Sequence, residues 1–207
     1  MAGPTSYSLE DGRVLVSAAR SAIELCIKSP KFDRSMVEGS IERFTEHSGV
    51  FVTLEHYPTM TLRGCIGFPE PSGPLKSLLV EAAIAAATED PRFMPVSHQE
   101  LGHLVVEVSI LSKPERIIQK SASGRLKEVK VGRDGLVIRY GFKSGLLLPV
   151  VPVEQGWNKE EFLGQTCVKA GMPEDAWRRP EIELYKFTAK VFKESEPGGS
   201  VEEVALG

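Results

Sequence analysis

Two neighbouring stretches of alternating residues constrain the fold of this chain more than any other feature. In residues 50–57, the apolar residues Val50, Val52 and Leu54 alternate with Phe51, Thr53 and Glu55. A turn at Pro58–Thr61 then leads to Leu62–Phe68, which has the length and composition of a second strand. Because side chains alternate between the two faces of a strand, the pattern predicts a two-stranded hairpin. The fold must therefore contain a sheet built from these two segments.

Helices are predicted on both sides of this hairpin. Ser8–Asp11 has the form of a capping box and is followed by apolar residues at helical spacing, which predicts a helix from about Leu9 to Lys28 that stops before Pro30. Pro74 stands where a first helical residue is expected, before a stripe of leucines and alanines that reaches Glu89. Two more helices are predicted, at Ser35–Glu46 and at Asn158–Ala170.

The second half of the chain is richer in strand patterns. Lys127–Val131 and Leu136–Tyr140 flank an Asp-Gly pair at positions 134 and 135, which is a strong signal for a hairpin. Further strands are predicted at Leu104–Leu111, Gly145–Val153 and Ile182–Phe192, and residues 194–207 are expected to form a flexible acidic tail. The order of elements lacks the regular alternation of a parallel sheet. It predicts an α+β fold with mainly antiparallel sheets flanked by helices.

Composition excludes several classes of protein. Of the 207 residues, 42% are hydrophobic and 26% are charged, which is ordinary for a globular domain and too apolar for intrinsic disorder. The net charge of −3 gives no reason to expect a polyelectrolyte partner. No apolar stretch approaches the ~18 residues of a membrane-spanning helix, and residues 1–6 do not resemble a signal peptide. We therefore expect a cytoplasmic protein without a membrane partner.

Common catalytic and metal-binding motifs are absent from the sequence. It contains no phosphate-binding loop, dinucleotide fingerprint, zinc-protease motif or serine-hydrolase elbow. The three cysteines, Cys26, Cys65 and Cys167, lie far apart and have no ligand spacing relative to one another or to the four histidines. We therefore predict free thiols and no metal site, and the sequence identifies no cofactor.

The segment Leu62–Phe68 is the strongest candidate for a functional site. Strict alternation would place Arg63 and Cys65 on one face, roughly 7 Å apart, with Gly67 leaving open space beside them. A guanidinium at that distance lowers the pKa of a thiol unless burial reverses the effect. The functional interpretation is a cleft with an activated thiol or an anion-binding arginine. The alternative is a closely packed hairpin in which Cys65 is buried and Arg63 pairs with Glu55.

Other charged residues supply further hypotheses. Asp90 and Arg92 flank a proline, and Glu107 lies among valines, so we expect Asp90 or Glu107 to pair with Arg63 or Arg92. The segment Lys113–Arg133 carries seven basic and two acidic residues and could contact phosphates. It contains no aromatic residue for base stacking, so a solvated loop is favoured over a nucleic-acid site.

Six short segments follow one another along the chain: the hexapeptide Leu62–Gly67, Asp90–Phe93, Val106–Ser109, Gly132–Leu136, Gly145–Pro149 and Cys167–Gly171. In this order they closely resemble the AMMECR-one domain family. The resemblance extends from about Leu9 to Phe192 and includes the residues Arg63, Gly64, Cys65, Gly67, Asp90, Arg92, Glu107 and Ser109. One difference is that relatives usually have Pro-Gln-Val after the leucine run, whereas this chain has Pro149-Val150-Val151.

The resemblance implies one domain over residues 9–193 with two subdomains and a cleft between them. A larger, discontinuous subdomain would comprise residues 9–48 and 112–193, and a smaller one residues 49–111, with the hexapeptide at or near the cleft. The resemblance carries no established activity over to this chain. Because some relatives are associated with Memo-like or radical-SAM proteins, it suggests a partner of that kind in a modification pathway.

These observations lead to three hypotheses of function. In the first, the domain binds a small molecule or peptide and is catalytic, with Arg63 binding an anionic group and Cys65 acting as a nucleophile or redox thiol. Gly64, Gly67, Asp90, Arg92, Glu107 and Ser109 would complete its binding site. In the second, the same face docks a protein partner without catalysis. The third is nucleic-acid binding through residues 113–133. The sequence does not predict an oligomeric state.

Overall fold

A computed structural model describes residues 7–29 and 31–205 of the chain. Within these residues the predicted α+β class is confirmed, with six α-helices and two antiparallel sheets. The α-helices are α1 (Leu9–Lys28), α2 (Ser35–Ser40), α3 (Leu75–Thr88), α4 (Ala122–Glu128), α5 (Val150–Glu154) and α6 (Lys159–Lys169), and two 3-10 helices span Leu101–His103 and Glu174–Arg178. The strands are β1 (Gly49–His56), β2 (Thr61–Phe68), β3 (Leu104–Leu111), β4 (Glu115–Arg116), β5 (Gly135–Tyr140), β6 (Lys143–Leu147), β7 (Glu183–Phe187), β8 (Ala189–Glu194) and β9 (Val201–Glu203).

Of the described residues, the first unit comprises 7–29, 31–111 and 190–204. Its sheet has the strand order β2-β1-β3-β8-β9, so β2 and β9 are the edge strands. One face of this sheet packs against α1 and α3 in a single apolar core, to which β1 contributes Val50, Val52 and Leu54. The capping box that the sequence predicts at Ser8 is present and starts α1. The opposite face of the sheet, called the outer face below, carries the other set of alternating residues.

The second unit comprises residues 112–189 and has its own core. Its sheet has the order β4-β7-β5-β6, and α6 contributes Phe162, Leu163 and Cys167 to the core. The two ends of the segment are hydrogen-bonded to each other. Ser112 N–H donates to the Thr188 carbonyl at 2.8 Å, and Thr188 N–H donates to the Ser112 hydroxyl at 2.8 Å.

The division of the chain differs from the one that the resemblance implied. Residues 49–111 do not form a subdomain of their own, because β1, β3 and α3 share one core with α1. The segment that interrupts this unit is residues 112–189 instead. The discontinuous unit of the structure joins the N-terminal helix to the strand Leu62–Gly67, not to residues 112–189.

Three local predictions are corrected by the structure. The predicted hairpin of Lys127–Val131 with Leu136–Tyr140 is wrong, because Lys127 and Glu128 end α4 and β5 pairs with β6 and β7 instead. The Asp134 carboxylate accepts a hydrogen bond from Lys130 N–H at 2.9 Å in the loop before β5. The predicted strand Gly145–Val153 ends at Leu147, and its prolines lie at the start of α5, where a missing N–H is tolerated. The segment after residue 194 is not a frayed tail, because β9 pairs with β8.

Three predictions concern residues outside the described part of the chain. The absence of a signal peptide concerns residues 1–6, and the stop of the first helix concerns Pro30. The predicted flexible tail includes residues 206 and 207. Among the helices of residues 7–29 and 31–205, none combines the length and the apolar composition needed to cross a bilayer.

Candidate functional site

The edge strand β2 carries the centre of the predicted site, and its glycines are explained by close packing. A Cβ atom on Gly64 would lie 2.2 Å from the carbonyl oxygen of Ala86 in α3. A Cβ atom on Gly67 would lie 2.3 Å from the carbonyl oxygen of Val50 and 2.4 Å from the ring of Phe51. Backbone and ring atoms therefore occupy the space that a side chain would need at both positions.

Arg63 does not lie beside Cys65, because Arg63 is the extra residue of a bulge in β2. Successive residues of β1 pair with Gly64 and then with Leu62, so that no residue of β1 is opposite Arg63. The bulge breaks the alternation on which the prediction depended. The Arg63 guanidinium binds the Glu100 carboxylate instead, with 2.8 Å between Nε and Oε1, and only 8% of the residue is exposed.

Glu100 is held in place for Arg63 by a turn of its own. Its carboxylate accepts hydrogen bonds from the N–H and the hydroxyl of Ser97, each at 2.8 Å. The hydrogen bond from Arg63 is the main cause that lowers the pKa of Glu100 to about 2, although burial acts in the opposite direction. Arg63 therefore already has a carboxylate partner inside the fold.

Asp90 and Arg92 bind the main chain of Cys65 at the free edge of β2. Cys65 N–H donates to the Asp90 carboxylate at 2.8 Å, and Arg92 Nη2 lies 3.4 Å from the Cys65 carbonyl oxygen. The same carboxylate holds the Arg92 guanidinium, with 2.9 Å to Nε and 2.6 Å to Nη2. The hydrogen bond from Arg92 is the largest cause that lowers the pKa of Asp90 far below its ordinary value. The predicted pair of Asp90 and Arg92 is therefore present.

A polar row crosses the outer face at the level of Cys65. Thr53 of β1 pairs with Cys65 on one side and with Glu107 of β3 on the other, and its hydroxyl donates to Cys65 Sγ at 3.2 Å. Lys193 of β8 forms an ion pair with Glu55 and lies 3.9 Å from Glu107. Glu55, the alternative partner considered for Arg63, is thus bound to a lysine.

The Cys65 thiol is not activated by this environment. Burial is the largest influence and raises its pKa, and the carboxylates of Glu107 and Asp90 add to the increase. The Thr53 hydroxyl and the Arg92 guanidinium act in the opposite direction without reversing the result. The thiol is therefore protonated at neutral pH.

Phe93 lies beside both arginines of the site. Its ring centroid is 5.4 Å from Cζ of Arg92 and 5.7 Å from Cζ of Arg63, so the two guanidinium carbons are at most about 11 Å apart. The exposed fractions of the two side chains differ, being 52% for Arg92 and 10% for Arg63. Arg92 is therefore the cation that this site presents to solvent.

The structure brings the predicted site residues together only in part. Cys65, Asp90 and Arg92 are in direct contact and Glu107 lies in their row, whereas buried Ser109 lies one row further along the outer face, opposite Phe51. Sequence reasoning missed residues that join the site through tertiary contacts. Of these, only Glu100 has a local signal, the serine three residues before it; the others are Thr53, Phe93 and Lys193.

The other candidate sites are less developed. In the basic segment 113–133, Arg125 is 2% exposed and donates to backbone carbonyls, while Arg116 and Arg133 are paired with carboxylates. Its remaining basic residues are the exposed lysines at positions 113, 120, 127 and 130. Within the described residues, no three histidine, cysteine or acidic side chains are grouped as a metal site would require.

The fold and the hexapeptide strand define the class of protein to which this chain belongs. The AMMECR1 family model matches residues 16–192, and the chain is a member of that family. It is 49% identical to Protein MJ0810 of Methanocaldococcus jannaschii over 96% of this chain and 98% of that protein. The crystal structure of Uncharacterized Protein PH0010 from Pyrococcus horikoshii, 47% identical, matches with a TM-score of 0.86 over 94% of this chain and 96% of that one.

Proposed function

We propose that this protein is a binding domain for a small molecule or peptide that carries an anionic group, and that Arg92 at the edge of β2 binds that group. The observation that carries the proposal is the position of the Arg92 guanidinium. Asp90 holds it from one side through two hydrogen bonds, at 2.9 and 2.6 Å, while half of the side chain remains exposed. A guanidinium fixed in this way is oriented for a carboxylate or phosphate before the ligand arrives.

The hydrogen-bonding capacity of Arg92 supports this role. Its Nε and Nη2 are engaged by Asp90, whereas no hydrogen bond reaches Nη1 from residues 7–29 or 31–205. Arg63, to which the sequence argument gave the anion, is bound to Glu100 and nearly buried. Arg63 is better described as a positioning residue that contacts Phe93, against which Arg92 also lies.

The state of Cys65 favours binding over covalent catalysis. A protonated thiol is a poor nucleophile, and burial raises the pKa of this one. The thiol also lies in a polar row with Thr53 and Glu107, where it can contribute a weak hydrogen bond to a bound group. We therefore assign Cys65 to the wall of the binding site and assign no nucleophilic step to it.

The proposal is tested by titrating the full chain with acetate and, separately, with inorganic phosphate. The amide signal of Cys65 and the Nε signal of Arg92 are followed by two-dimensional NMR. We expect saturable shifts of both signals, and the stronger of the two anions identifies the chemical class of the ligand. Arg92→Gln should abolish the shift of the Cys65 amide. Arg92→Lys, which keeps the charge but loses the two-pronged geometry, should weaken it.

The chain offers a closely matched control in its second unit. Arg133 is 47% exposed and is held by the buried Asp134 through hydrogen bonds of 2.6 and 2.8 Å, much as Arg92 is held by Asp90. Arg133→Gln should leave the titration of the Cys65 amide unchanged. If neither anion gives a saturable shift at Cys65, or if Arg133→Gln removes it as well as Arg92→Gln does, the proposal is wrong.

A further inference from the structure

We infer that the anionic group is the C-terminal carboxylate of a peptide, and that the peptide pairs with the free edge of β2 at Gly67 while its carboxylate binds Arg92. This inference rests on the proposed function and names the chemical class of the ligand. It is carried by the hydrogen-bonding direction of β2, by the length of its open edge and by the position of the arginine along that edge.

The main-chain groups of Gly67 point away from the sheet. Cys65 N–H is bound to Asp90 and therefore faces outward, and the register continues without interruption from Thr53 opposite Cys65 to Phe51 opposite Gly67. The direction of main-chain groups repeats every second residue. The N–H and C=O of Gly67 therefore also point away from β1, at the free edge of β2. In the part of the chain that the structure describes, neither group has a hydrogen-bond partner.

The free edge of β2 is short, so it can pair with the end of a peptide chain but not with a long strand. On one side, Asp90 and Arg92 already occupy the main chain of Cys65. On the other side, Pro69 follows the strand and has no N–H to offer. One residue of a visiting peptide can therefore exchange a pair of hydrogen bonds with Gly67, and little more of it can be held by the edge.

The direction of pairing brings the carboxylate to the arginine. A peptide antiparallel to β2 runs from Phe68 toward Arg63, so its C-terminal end arrives at Cys65. Two residues of a strand span roughly 7 Å, which is the separation between the level of Gly67 and that of Cys65. If the penultimate residue pairs with Gly67, the last residue delivers its carboxylate to the level at which Arg92 contacts the Cys65 carbonyl.

The missing side chain of Gly67 indicates which penultimate residue fits. The ring of Phe51 lies over Gly67, where a Cβ atom would be 2.4 Å from it. The side chain of a residue paired with Gly67 would lie on that same outer face, next to the ring. An apolar or aromatic penultimate residue would cover this partly exposed ring, as cross-strand aromatic groups cover glycines in sheets.

The test uses the full chain and an acetylated pentapeptide that ends in phenylalanine and then alanine. Binding is measured by NMR titration of the Gly67 and Cys65 amides and by hydrogen exchange of the Gly67 amide. We expect the free acid to bind and to slow exchange at Gly67. The C-terminally amidated peptide should bind about tenfold or more weakly, because the charge-assisted contact with Arg92 is lost. Arg92→Gln should weaken the binding of the free acid by a similar factor, and Arg133→Gln should leave it unchanged.

N-methylation of the peptide provides the control for strand pairing. A methyl group on the amide of the penultimate residue removes the donor to the Gly67 carbonyl and should abolish the protection of Gly67. The same methyl group on the preceding residue faces away from β2 and should be tolerated.

The outcomes separate this inference from the proposed function. If acetate binds at Arg92 but the free-acid peptide binds no better and leaves Gly67 exchange unchanged, the inference is wrong and anion binding stands. If neither acetate nor peptide shifts the Cys65 amide, both are wrong. Protection of Gly67 that depends on protein concentration and not on peptide would show that β2 pairs with a second copy, which also overturns the inference.

Discussion

Arg63 and Arg92 contact the same phenylalanine, and their carboxylate partners decide what each can do. Glu100 closes over Arg63 and leaves 10% of its side chain exposed, so that its charge is used inside the fold. Asp90 holds Arg92 from one side and leaves 52% of that side chain exposed. A buried ion pair fixes local geometry but offers little to a ligand, whereas an oriented and exposed guanidinium can still bind an anion.

The first prediction concerns the titration of Cys65. In a chain whose only thiol is Cys65 (Cys26→Ser, Cys167→Ala), the alkylation rate should rise with pH through a midpoint above the ordinary cysteine value of about 8.5, because burial raises the pKa. Arg92→Gln should move the midpoint higher, since it removes a neighbouring positive charge. Glu107→Gln should move it lower. A midpoint below about 8.5 would restore the hypothesis of an activated nucleophile.

The second prediction concerns Glu100 and the acid stability of the fold. Its pKa is lowered to about 2 in the folded protein by the hydrogen bond from Arg63. A carboxyl group with a lowered folded pKa stabilises the protein above its unfolded pKa, and this stabilisation is lost as the pH falls from the ordinary glutamate pKa of 4.5 toward 2. Glu100→Gln should therefore lower the free energy of unfolding at pH 7 by up to about 3 kcal/mol and flatten its decline over this range.

Chemical denaturation at a series of pH values measures this effect. Glu183→Gln is the matched control, because Glu183 pairs with Arg116 at the surface, where 41% of its side chain is exposed. We expect that variant to change the free energy of unfolding by less than about 1 kcal/mol at any pH. Equal pH profiles for the Glu100→Gln variant and the unsubstituted protein would contradict the assignment.

The site could be predicted from the sequence only where its contacts are local. The pair of Asp90 and Arg92, which joins residues only two positions apart, is one of the four pairings that the sequence predicts. The alternation that placed Arg63 beside Cys65 failed at a bulge, which depends on the pairing of β1 with β2 and has no separate mark in β2. Glu100 is 37 residues from Arg63, and no pattern in the sequence connects the two.

At the scale of elements, β2 shows how one strand can be bound tightly to a helix. Gly64 faces α3 so closely that an added Cβ atom would lie 2.2 Å from the Ala86 carbonyl oxygen. We predict that Gly64→Ala lowers the free energy of unfolding by about 2 kcal/mol or more, because the obstacle is backbone and cannot move aside easily. Gly73→Ala, where a Cβ atom meets nothing within 4 Å, should change it by about 0.5 kcal/mol at most.

Denaturant titration of both variants provides the measurement, and the Cys65 amide signal reports whether the edge of β2 has moved. If Gly64→Ala is as stable as Gly73→Ala, the close approach of β2 and α3 is not a constraint on this strand. If it is less stable but the Cys65 amide is unchanged, the contact stabilises the fold without positioning the site.

The elements that the sequence predicted well are those with local signals. The capping boxes at Ser8 and Asn158 start α1 and α6, as predicted, because each is completed within four residues. Asp134 and Gly135 have the residue types of a hairpin turn, but the Asp134 carboxylate is used by Lys130 and Arg133. The strand β9 has only three residues and is held by its pairing with β8, so composition alone suggested a tail.

At the scale of the molecule, the chain forms two units, and the segment 112–189 of the second lies in sequence between the two parts of the first. The segment 112–189 contains both tryptophans of the protein and its own core around Phe162 and Trp177. The buried Arg125 is satisfied within the segment, because its guanidinium donates to carbonyls of residues 119, 177, 179 and 182. All four of these carbonyls belong to the segment 112–189.

We therefore predict that residues 112–189 fold when expressed alone. The ends of the segment are already joined by two hydrogen bonds between Ser112 and Thr188, so removing the rest of the chain leaves a closed unit with its charged interior paired. The fragment should show a cooperative denaturant transition in tryptophan fluorescence and dispersed amide signals. Phe162→Ala, which removes a side chain of 0% exposure from the core, should abolish the transition by an effect of about 3–5 kcal/mol. A fragment that is unfolded without substitution would show that its core depends on residues outside the segment, and the division into two units would then describe packing and not independent folding.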